Sequence, residues 1–479
     1  MTHHVAVVGG GVGGLATALA LARAGHRVTV LERDPLPVPT TADDAFATER
    51  RGAPQSHQTH GFLARLQVEL RERFPDIWRD LLAAGCTTMA PAAHLQAEPG
   101  DEQLTVLIAR RTTLDWVLRR AVFAQSGAEV RTGVTVTGLV AQPSGAGGHA
   151  AGPPTVTGVR VADGGVVEAD LVVVAGGRRS QLPGWLAEIG APVREEVVES
   201  GLMYLSRWYR FPEGPQSLTD PKLGGDLGFV KYLGVPGDGD TLSVTLAVPT
   251  RDRELRTALA DEGRFDLACR LLPGPDGFFA DGPREALSGV MPMGGLINRI
   301  RRFVDDDGRP AVLGLHAVGD AHTCTNPLYG RGCTLAVVQA GLLADALAEH
   351  PGSDAGAATA RATAYEAACA REVEPWYHSA LELDRSGADP ASGSPDSAQG
   401  KAMAAVFAAA ATDPVIGRAL ARLWNLLITP AEMAADAEAM ARMAEVMAHP
   451  DDYPPPPRGG PTREALLEAL AHPEEAHHA

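Results

Sequence analysis

A glycine-rich turn near the N-terminus constrains the fold of this 479-residue chain more than any other feature. The apolar run 5–8 leads into GGGVGG at 9–14, and an Ala/Leu-rich stretch follows at 15–24. This order predicts a buried strand, a tight turn and a helix. A second predicted strand, 26–31, ends just before Glu32. The segment is therefore predicted to form a β-α-β unit that binds a dinucleotide.

Each glycine of this turn has its own predicted role. Gly9 permits the tight turn, Gly11 lets a pyrophosphate approach the backbone, and Gly14 lets the helix pack closely on the strand. The N-terminus of the helix then favours the phosphate charge. Glu32, 23 residues after Gly9, is predicted to accept hydrogen bonds from ribose hydroxyls. The neighbouring residues assigned to the same cofactor contact are Val12, Gly13 and Arg33.

A second glycine-rich turn lies far along the chain. The apolar run 311–318 predicts a buried strand, and GDAHTCTNPLYGRG at 319–332 follows it before a long helical stretch. Asp320 stands at the strand end, where its carboxylate can hold a ribityl chain. Gly330 and Gly332 lie at the predicted helix N-terminus, where backbone amides can face a flavin pyrimidine ring and favour negative charge on it. The residues assigned to the same contact are Gly319, Pro327 and Cys333.

Four segments together resemble one family. The 319–332 stretch resembles the GD-x-x-H-x-x-x-P-x-x-G-x-G signature of FAD-dependent aromatic hydroxylases and their epoxidase relatives, with His322 one position earlier than the family histidine. The motif RTTLDWVL at 111–118 resembles the RxxLxxxL helix that brings an arginine toward the FAD. The run 170–180 resembles the second nucleotide-proximal strand and turn of this superfamily. The segment 54–63 resembles part of the actinobacterial FAD epoxidases of polyether biosynthesis.

This resemblance implies an α/β fold with three parts. They are a Rossmann-type FAD-binding domain of three layers (GR2-like), an inserted antiparallel β-sheet substrate domain, and a C-terminal helical region. The predicted boundaries are 1–90, 105–190 and 300–350 for the discontinuous FAD-binding domain, 91–104 and 191–299 for the substrate domain, 351–450 for the helical region with a linker or lid loop near 384–401, and 451–479 for a loose tail.

The resemblance also implies the reaction and its co-substrates. In such enzymes NAD(P)H or a partner flavin reductase reduces a non-covalently bound FAD, O2 adds at the flavin C4a, and the hydroperoxide transfers one oxygen atom. The flavin carries the chemistry, so the catalytic side chains are unknown, and Arg111 is assigned only to a place near the flavin. The protein must exclude water, stabilise the anionic flavin and hold the substrate. We expect epoxidation or hydroxylation of a lipophilic, polyketide-like secondary metabolite, as in antibiotic biosynthesis.

An apolar substrate pocket is predicted beside the flavin. The residues assigned to it are His60, Tyr204, Trp208, Phe229, Tyr232, Met291, Met293 and Asn326. Packing within the core of the predicted sheet is the alternative role for the aromatic and methionine side chains. No metal site is predicted, because His57 and His60 have no carboxylate or cysteine nearby in the sequence.

Composition narrows the partners and the compartment. The chain has 42 Lys and Arg against 59 Asp and Glu, a net charge of −17, which disfavours nucleic acid and anionic membrane surfaces. Its five cysteines are widely spaced without a CxxC pair, which fits a reducing compartment. No stretch reaches about 18 uninterrupted apolar residues, so a cytoplasmic protein without a membrane span is predicted. The expected partners are a lipophilic small molecule and, for some electron routes, a flavin reductase; the expected state is a monomer or homodimer.

Three alternative functions stay open on the sequence. A flavin-dependent dehydrogenase or ene-reductase moves hydride without inserting oxygen, and the sequence separates it poorly from a monooxygenase. A flavin halogenase shares the fold, but this chain lacks the WxWxIP motif of that family, and none of its three lysines stands at the expected place. The third alternative is a non-catalytic FAD-binding protein. The fate of oxygen distinguishes a monooxygenase from the dehydrogenase and from the non-catalytic protein.

Overall fold

A computed structural model describes residues 1–35, 37–143, 152–211, 224–279, 284–388, 397–455 and 459–472 of the protein. Its strands, in chain order, are β1 His4–Val8, β2 Arg27–Glu32, β3 Thr87–Met89, β4 Val106–Ile108, β5 Ala128–Thr132, β6 Val136–Gln142, β7 Thr155–Val161, β8 Val166–Glu168, β9 Leu171–Val174, β10 Arg194–Glu199, β11 Leu202–Arg210, β12 Gly224–Asp226, β13 Lys231–Gly237, β14 Thr241–Pro249, β15 Met291–Met293, β16 Ile297–Arg302, β17 Leu315–Ala317 and β18 Thr323–Cys324.

The helices frame these strands and dominate the last third of the chain. In chain order they are α1 Val12–Arg23, α2 Ala42–Ala47, α3 Ala64–Arg73, α4 Pro75–Ala83, α5 Arg111–Ala124, α6 Leu182–Glu188, α7 Arg253–Leu259, α8 Glu262–Leu271, α9 Pro275–Phe279, α10 Gly332–Glu349, α11 Ala355–Glu372, α12 Glu374–Ala388, α13 Ala398–Ala409, α14 Pro414–Trp424, α15 Pro430–Ala435, α16 Ala437–Ala448 and α17 Arg463–Ala471.

Alternate side chains of strand β1 face two different hydrophobic cores. Val5 and Val7 pack with helices α1, α5 and α10 on one side, while Ala6 and Val8 pack with strands β6 and β7 on the other. The central sheet is parallel, with the order β17-β9-β1-β2-β5, and its second face is covered by the antiparallel sheet β6-β7-β8. The predicted three-layer, Rossmann-type α/β fold is therefore confirmed.

The inserted sheet also has two chemically different faces. It is antiparallel, with the order β12-β13-β14-β11-β15. The side chains of Leu205 and Val244 face helices α7 and α8 in a buried core, whereas Ser206 and Ser243 lie on the opposite face, toward the FAD-binding layers. This strand alternation brings a polar face of the inserted sheet to the junction with the dinucleotide fold.

The hairpin between β13 and β14 docks on the N-terminus of helix α5. Asp238, 2% exposed, accepts hydrogen bonds from the backbone N–H of Arg110 at 2.6 Å and from its guanidinium at 2.8 and 3.1 Å. The hydroxyl of Thr113 also donates to the same carboxylate at 2.9 Å. A charged, fully hydrogen-bonded contact thus fixes the inserted sheet to the helix that carries Arg111.

Two predicted boundaries differ from the structure. Segment 91–104, predicted for the substrate domain, lies instead against the C-terminal helices, where Arg418 of α14 pairs with Glu98 at 2.8 Å and Asp101 at 3.1 Å. The predicted loose tail contains helix α17, which is capped by Thr462. Leu466 of that helix is fully buried in the core of the inserted sheet, so an amphipathic nine-residue helix orders this part of the tail.

The predicted linker near 384–401 is shorter than expected. Helix α12 continues to Ala388 and helix α13 begins at Ala398. The intervening residues 389–396 and the tail residues 473–479 lie outside the described residues.

Helix α10 is the one straight helix in the described parts of the chain with the length and hydropathy of a membrane span. In the structure 67% of its 18 residues are buried against the protein, and it packs on helices α1, α3 and α11. Burial of this kind is typical of the core helix of a soluble protein. The helices α13 and α14 together pass the same test, but they are bent by 103° at their junction.

Candidate active site

A cleft of about 320 Å³ runs from the end of strand β1 to the inserted sheet. It brings together the two glycine-rich turns, which lie some 300 residues apart in the sequence. The predicted cofactor residues that line it are Gly9, Gly11, Val12, Gly13, Glu32, Arg33, Arg111, Gly319, Asp320, Pro327, Gly330, Gly332 and Cys333. The remaining one, Gly14, lies behind the wall of the cleft.

The glycines of the first turn are needed for three different reasons. Gly9 has a φ of +110°, and a Cβ there would lie 2.5 Å from the carbonyl oxygen of Ala175, the residue that follows β9. A Cβ on Gly14 would overlap the carbonyl oxygen of Gly9, so this glycine permits the close packing of helix α1 on the strand. A Cβ on Gly11 would meet nothing within 4 Å, because it would project into the cleft.

Glu32 is held in place at the end of strand β2. Its carboxylate accepts the backbone N–H of Gly10 at 2.6 Å and that of Asp34 at 2.9 Å, and Arg50 lies at 3.4 Å. Arg50 also pairs with Asp115 of helix α5 at 3.3 Å and lines the cleft. The sequence analysis did not find Arg50, because it lies between recognisable motifs and only the tertiary fold brings it to this wall.

Asp320 presents its carboxylate to the cleft. Within the described residues the side chain has no hydrogen-bond partner, and burial raises its pKa, against the opposing effect of the cations Arg111 and Arg299. The backbone of the turn is firmly held: the N–H of Gly319 donates to Gln339 at 2.7 Å, and Arg299 donates to the carbonyl of Asp320 at 2.6 Å. A positioned but unpaired acceptor is what a hydroxyl-bearing ligand requires.

Arg111 is the centre of a buried polar chain beside the second turn. Burial alone would lower its pKa, but Asp115 at 3.0 Å holds that pKa above the usual range. The guanidinium donates to Nε2 of His60 at 3.3 Å and to Sγ of Cys333 at 3.2 Å. Because Nδ1 of His60 lies 2.9 Å from the carbonyl of Gln58, the ring is the neutral tautomer with its proton on Nδ1.

The charge state of His60 gives a pH prediction. Burial, reinforced by Arg111, lowers the pKa of His60 to about 4. The unfolded chain therefore binds a proton at higher pH than the folded chain does. The stability linked to this ring is complete above about pH 6.5 and is lost as the pH falls toward 4, by up to about 1.4 kcal/mol per pH unit.

Lowering the pH from 7 to 5 should reduce the unfolding free energy of wild type more than that of His60→Gln. We expect the two reductions to differ by about 1 to 2 kcal/mol. Urea unfolding at the two pH values measures this difference. His94→Gln, at an exposed position, is the control. The pH dependence of its unfolding free energy should equal that of wild type. Equal pH dependence of His60→Gln and wild type would contradict the assignment of a neutral, buried ring.

Only three of the predicted substrate-lining residues reach the cleft: His60, Tyr204 and Met293. The other five lie elsewhere because strand alternation or local packing turns them away. They are Trp208, which donates to the carbonyl of His57 at 2.7 Å; Phe229 and Tyr232, which pack on the core face of the inserted sheet; Met291, whose carbonyl accepts a hydrogen bond from Gln58; and Asn326, which is fully buried in a polar network.

The segment that begins with the 3₁₀ turn Pro54–His57 covers the polar face of the inserted sheet. Thr59 hydrogen-bonds to Ser243 and to Thr245, and Gln58 accepts the hydroxyl of Ser206 at 2.8 Å. The centre of this face is therefore filled by the chain itself. The open part of the cleft lies at one end of the sheet, and the side chains that border it there are Tyr204, Met293, Ile297, Cys324 and Thr325.

Three further features bear on the sequence predictions. His322 does not border the cleft: it is buried, with Nδ1 at 2.7 Å from Thr323 and Nε2 at 3.3 Å from Glu366. Among the described residues, no group of three or more His, Cys, Asp or Glu side chains is arranged to hold a metal ion. Arg178 and Arg179, in the run 170–180 that resembles a nucleotide-proximal strand and turn, also line the cleft.

The three-layer fold and this cleft define a dinucleotide-binding protein. The family model DAO, FAD dependent oxidoreductase, matches residues 4–366, and the chain belongs to this family. A search of curated proteins found no match.

Solved structures of similar fold include FAD-dependent monooxygenases and a hydroxylase. PqsL, a probable FAD-dependent monooxygenase from Pseudomonas aeruginosa, is 17% identical with a TM-score of 0.57 over 81% of this chain and 96% of its own. OxyS anhydrotetracycline hydroxylase from Streptomyces rimosus is 19% identical with a TM-score of 0.57 over 89% and 76%. The p-nitrophenol 4-monooxygenase PnpA from Pseudomonas putida DLL-E4 is 18% identical with a TM-score of 0.59 over 90% and 99%. At these identities the likeness establishes the fold.

Proposed function

We propose that this protein is an FAD-dependent monooxygenase that inserts one oxygen atom from O2 into a lipophilic, polyketide-like secondary metabolite, by epoxidation or hydroxylation. The observation that carries the proposal is the single cleft, which joins both glycine-rich turns to the polar junction with the inserted sheet. One end has the features of a dinucleotide site, and the other end, beside Tyr204 and Met293, is open to a second molecule.

The side chains and backbone of the cleft fit non-covalently bound FAD. Gly11 leaves room for a pyrophosphate at the N-terminus of helix α1, and Glu32 is placed for a ribose. The free carboxylate of Asp320 is placed for ribityl hydroxyls. Gly332 begins helix α10, so its first backbone N–H groups point toward the cleft end where a flavin pyrimidine ring would lie.

The chain itself supplies charge stabilisation and exclusion of water. When bound, FAD supplies the activation of O2 and the transfer of one oxygen atom. The N-terminus of helix α10 favours negative charge on the adjacent ring. Arg111, fixed by Asp115, adds a permanent positive charge beside that turn. Gln58 and Thr59 seal the polar face of the inserted sheet against bulk water.

The electrons come from NAD(P)H or from a partner flavin reductase, and oxygen consumption identifies which. The purified protein, reconstituted with FAD, is followed by absorbance and an oxygen electrode as NADH, NADPH or a flavin reductase is added. The proposal expects bound FAD, its reduction by one of these donors, and uptake of oxygen. Reduced FAD that stays stable in aerated buffer would contradict it and indicate a dehydrogenase or reductase. The cytoplasmic location and the monomeric or homodimeric state are parts of the same proposal.

Replacement of Asp320 separates cofactor binding from folding. We expect Asp320→Ala to raise the FAD dissociation constant by about tenfold or more, the worth of one to two hydrogen bonds to a charged acceptor. The same change removes a partly buried, unpaired carboxylate, so the melting temperature of the apoprotein should stay equal or rise. Fluorescence titration with FAD and thermal unfolding measure the two effects. Asp306→Asn, on an exposed ion pair with Arg194, is the control; loss of apoprotein stability together with FAD affinity in Asp320→Ala would contradict this role.

A further inference from the structure

Asp384, near the end of helix α12, accepts hydrogen bonds from three side chains in two separate parts of the chain. The side-chain amide of Asn298 in strand β16 donates at 2.6 Å. The side-chain amide of Asn326 donates at 2.8 Å, and the hydroxyl of Tyr329 donates at 2.6 Å. One carboxylate of the C-terminal helical region therefore joins strand β16 to the turn that precedes helix α10.

This carboxylate favours one orientation of both asparagine amides. A carboxylate only accepts, so each amide turns its NH2 group toward Asp384. The oxygen of Asn298 then accepts the backbone N–H of Asn326 at 2.8 Å. The oxygen of Asn326 accepts the hydroxyl of Tyr204 at 2.5 Å. A reversed amide would set its oxygen against the carboxylate, and the backbone N–H groups of Asn326 and Leu328, which donate to the two amide oxygens, favour the same orientation.

The network connects the two domains that form the cleft. Tyr204 lines the cleft from the inserted sheet, and Pro327 lines it from the 3₁₀ turn Pro327–Tyr329. Asn326, which joins them, is fully buried. The inserted sheet is therefore joined to the turn by the bond from Tyr204 to Asn326, and Asn326 is held in turn by Asp384, a residue that does not itself line the cleft.

Helix α12 also holds the far side of the same turn. Arg331 donates to the carbonyl of Trp376 at 2.9 Å and to the hydroxyl of Ser379 at 3.2 Å, both on α12. Its guanidinium also lies 5.3 Å from the centre of the Trp376 ring. The turn around Gly330 is thus fixed on both sides by one helix from outside the dinucleotide fold.

We propose that Asp384 is a positioning residue that fixes the 326–332 turn against Tyr204 and thereby sets the geometry of the flavin and substrate ends of the cleft. The inference rests on the proposed function, because that function places the flavin beside this turn. The role is indirect: Asp384 acts through Asn326 and Tyr329 and touches neither cofactor nor substrate.

Two variants test the direction of the hydrogen bonds. Asp384→Asn keeps the shape of the side chain but removes one acceptor, so at least one of the three donors loses its partner. Combining it with Asn326→Asp exchanges the two groups. The carboxylate at position 326 then accepts from Tyr204, while the amide at position 384 donates to that carboxylate and offers its oxygen to Asn298. The hydroxyl of Tyr329, which shares Oδ1 of Asp384 with Asn326 in wild type, then accepts from the NH2 group instead of donating. Glu382→Gln, an exposed charge removal on the same helix, is the matched control.

Hydrogen–deuterium exchange of the 323–332 segment in the apoprotein and the visible circular dichroism of bound FAD are the readouts. Asp384→Asn should speed exchange in this segment by about tenfold and alter the flavin band, while its FAD dissociation constant stays within about twofold of wild type. The double variant Asp384→Asn with Asn326→Asp should return both the deuterium exchange of the segment and the circular dichroism of bound FAD to their wild-type values. Glu382→Gln should change neither. A loss of stability without a positioning role would not be reversed by the exchange.

The proposal is overturned if the 323–332 segment of Asp384→Asn takes up deuterium as slowly as in wild type. It is also overturned if the double variant Asp384→Asn with Asn326→Asp has the melting temperature of wild type but its segment still takes up deuterium rapidly. Should the exchanged pair not fold, Tyr204→Phe removes only the last bond of the network and should change the exchange of the segment in the same direction. Unchanged exchange in Tyr204→Phe would then overturn the proposal. Failure of wild type to bind FAD would contradict the proposed function, whereas exchange in the apoprotein still tests the role of Asp384.

Discussion

Gly11→Val should fold like wild type and lose FAD binding by about 100-fold or more, equivalent to about 2.7 kcal/mol. A Cβ at this position would meet no protein atom within 4 Å and would project into the cleft, so we expect the apoprotein to keep its stability. The same side chain would occupy the space where a pyrophosphate approaches the backbone. Fluorescence titration with FAD measures the affinity, and thermal unfolding of the apoprotein measures the fold.

Two other glycines serve as comparisons. Gly184→Ala, in helix α6 and also without a neighbour within 4 Å, should leave FAD affinity unchanged. Gly14→Ala should instead destabilise the apoprotein, because its Cβ overlaps the backbone of Gly9. If Gly11→Val bound FAD as tightly as wild type, the first glycine-rich turn would not be the pyrophosphate site.

Asp238→Ala should lower the free energy of unfolding by about 3 to 5 kcal/mol. The substitution leaves the guanidinium of Arg110, itself 3% exposed, without its buried partner at the junction of the inserted sheet and helix α5. It also removes the acceptor for Thr113. Urea unfolding measures the loss. The affinity for FAD should fall as well, since Arg111 follows directly on the same helix.

The exposed partner of the same arginine provides the control for this prediction. Asp43 lies 2.8 Å from Arg110, but its side chain is 78% exposed. Asp43→Ala should therefore cost less than about 1 kcal/mol. An equal decrease in the free energy of unfolding for Asp238→Ala and Asp43→Ala would show that burial does not determine how much these ion pairs stabilise the fold.

Local patterns were enough to predict the core of the fold. The turn around Gly9 and Gly14 is predictable because both conformation and packing demand glycine there. The strand that leads to Asp320 is predictable from its own apolar run. The alternation of strand residues and the apolar repeat of helix α10 are also local properties. Such elements need no knowledge of distant neighbours.

The contacts that complete the cleft depend on tertiary structure and were not predictable. Arg50 pairs with Asp115, 65 residues away, and Asp238 pairs with Arg110, 128 residues away. Trp208 was assigned to the substrate, but the chain segment after Ala53 covers its face of the sheet. Helix α17 was missed because its apolar face is short and its partner core lies some 200 residues earlier. Each of these depends on what packs against a residue rather than on the residue itself.

Transfer of labelled oxygen tests the monooxygenase assignment most directly. Compounds from a panel of phenolic and polyketide-like molecules that perturb the spectrum of the bound FAD are incubated with the reduced enzyme under ¹⁸O2, and the products are analysed by mass spectrometry. The account predicts a product that carries one ¹⁸O atom. An oxidised product without the label, or reduced FAD that stays unreactive in the presence of oxygen, would contradict it and identify a dehydrogenase or reductase on the same fold.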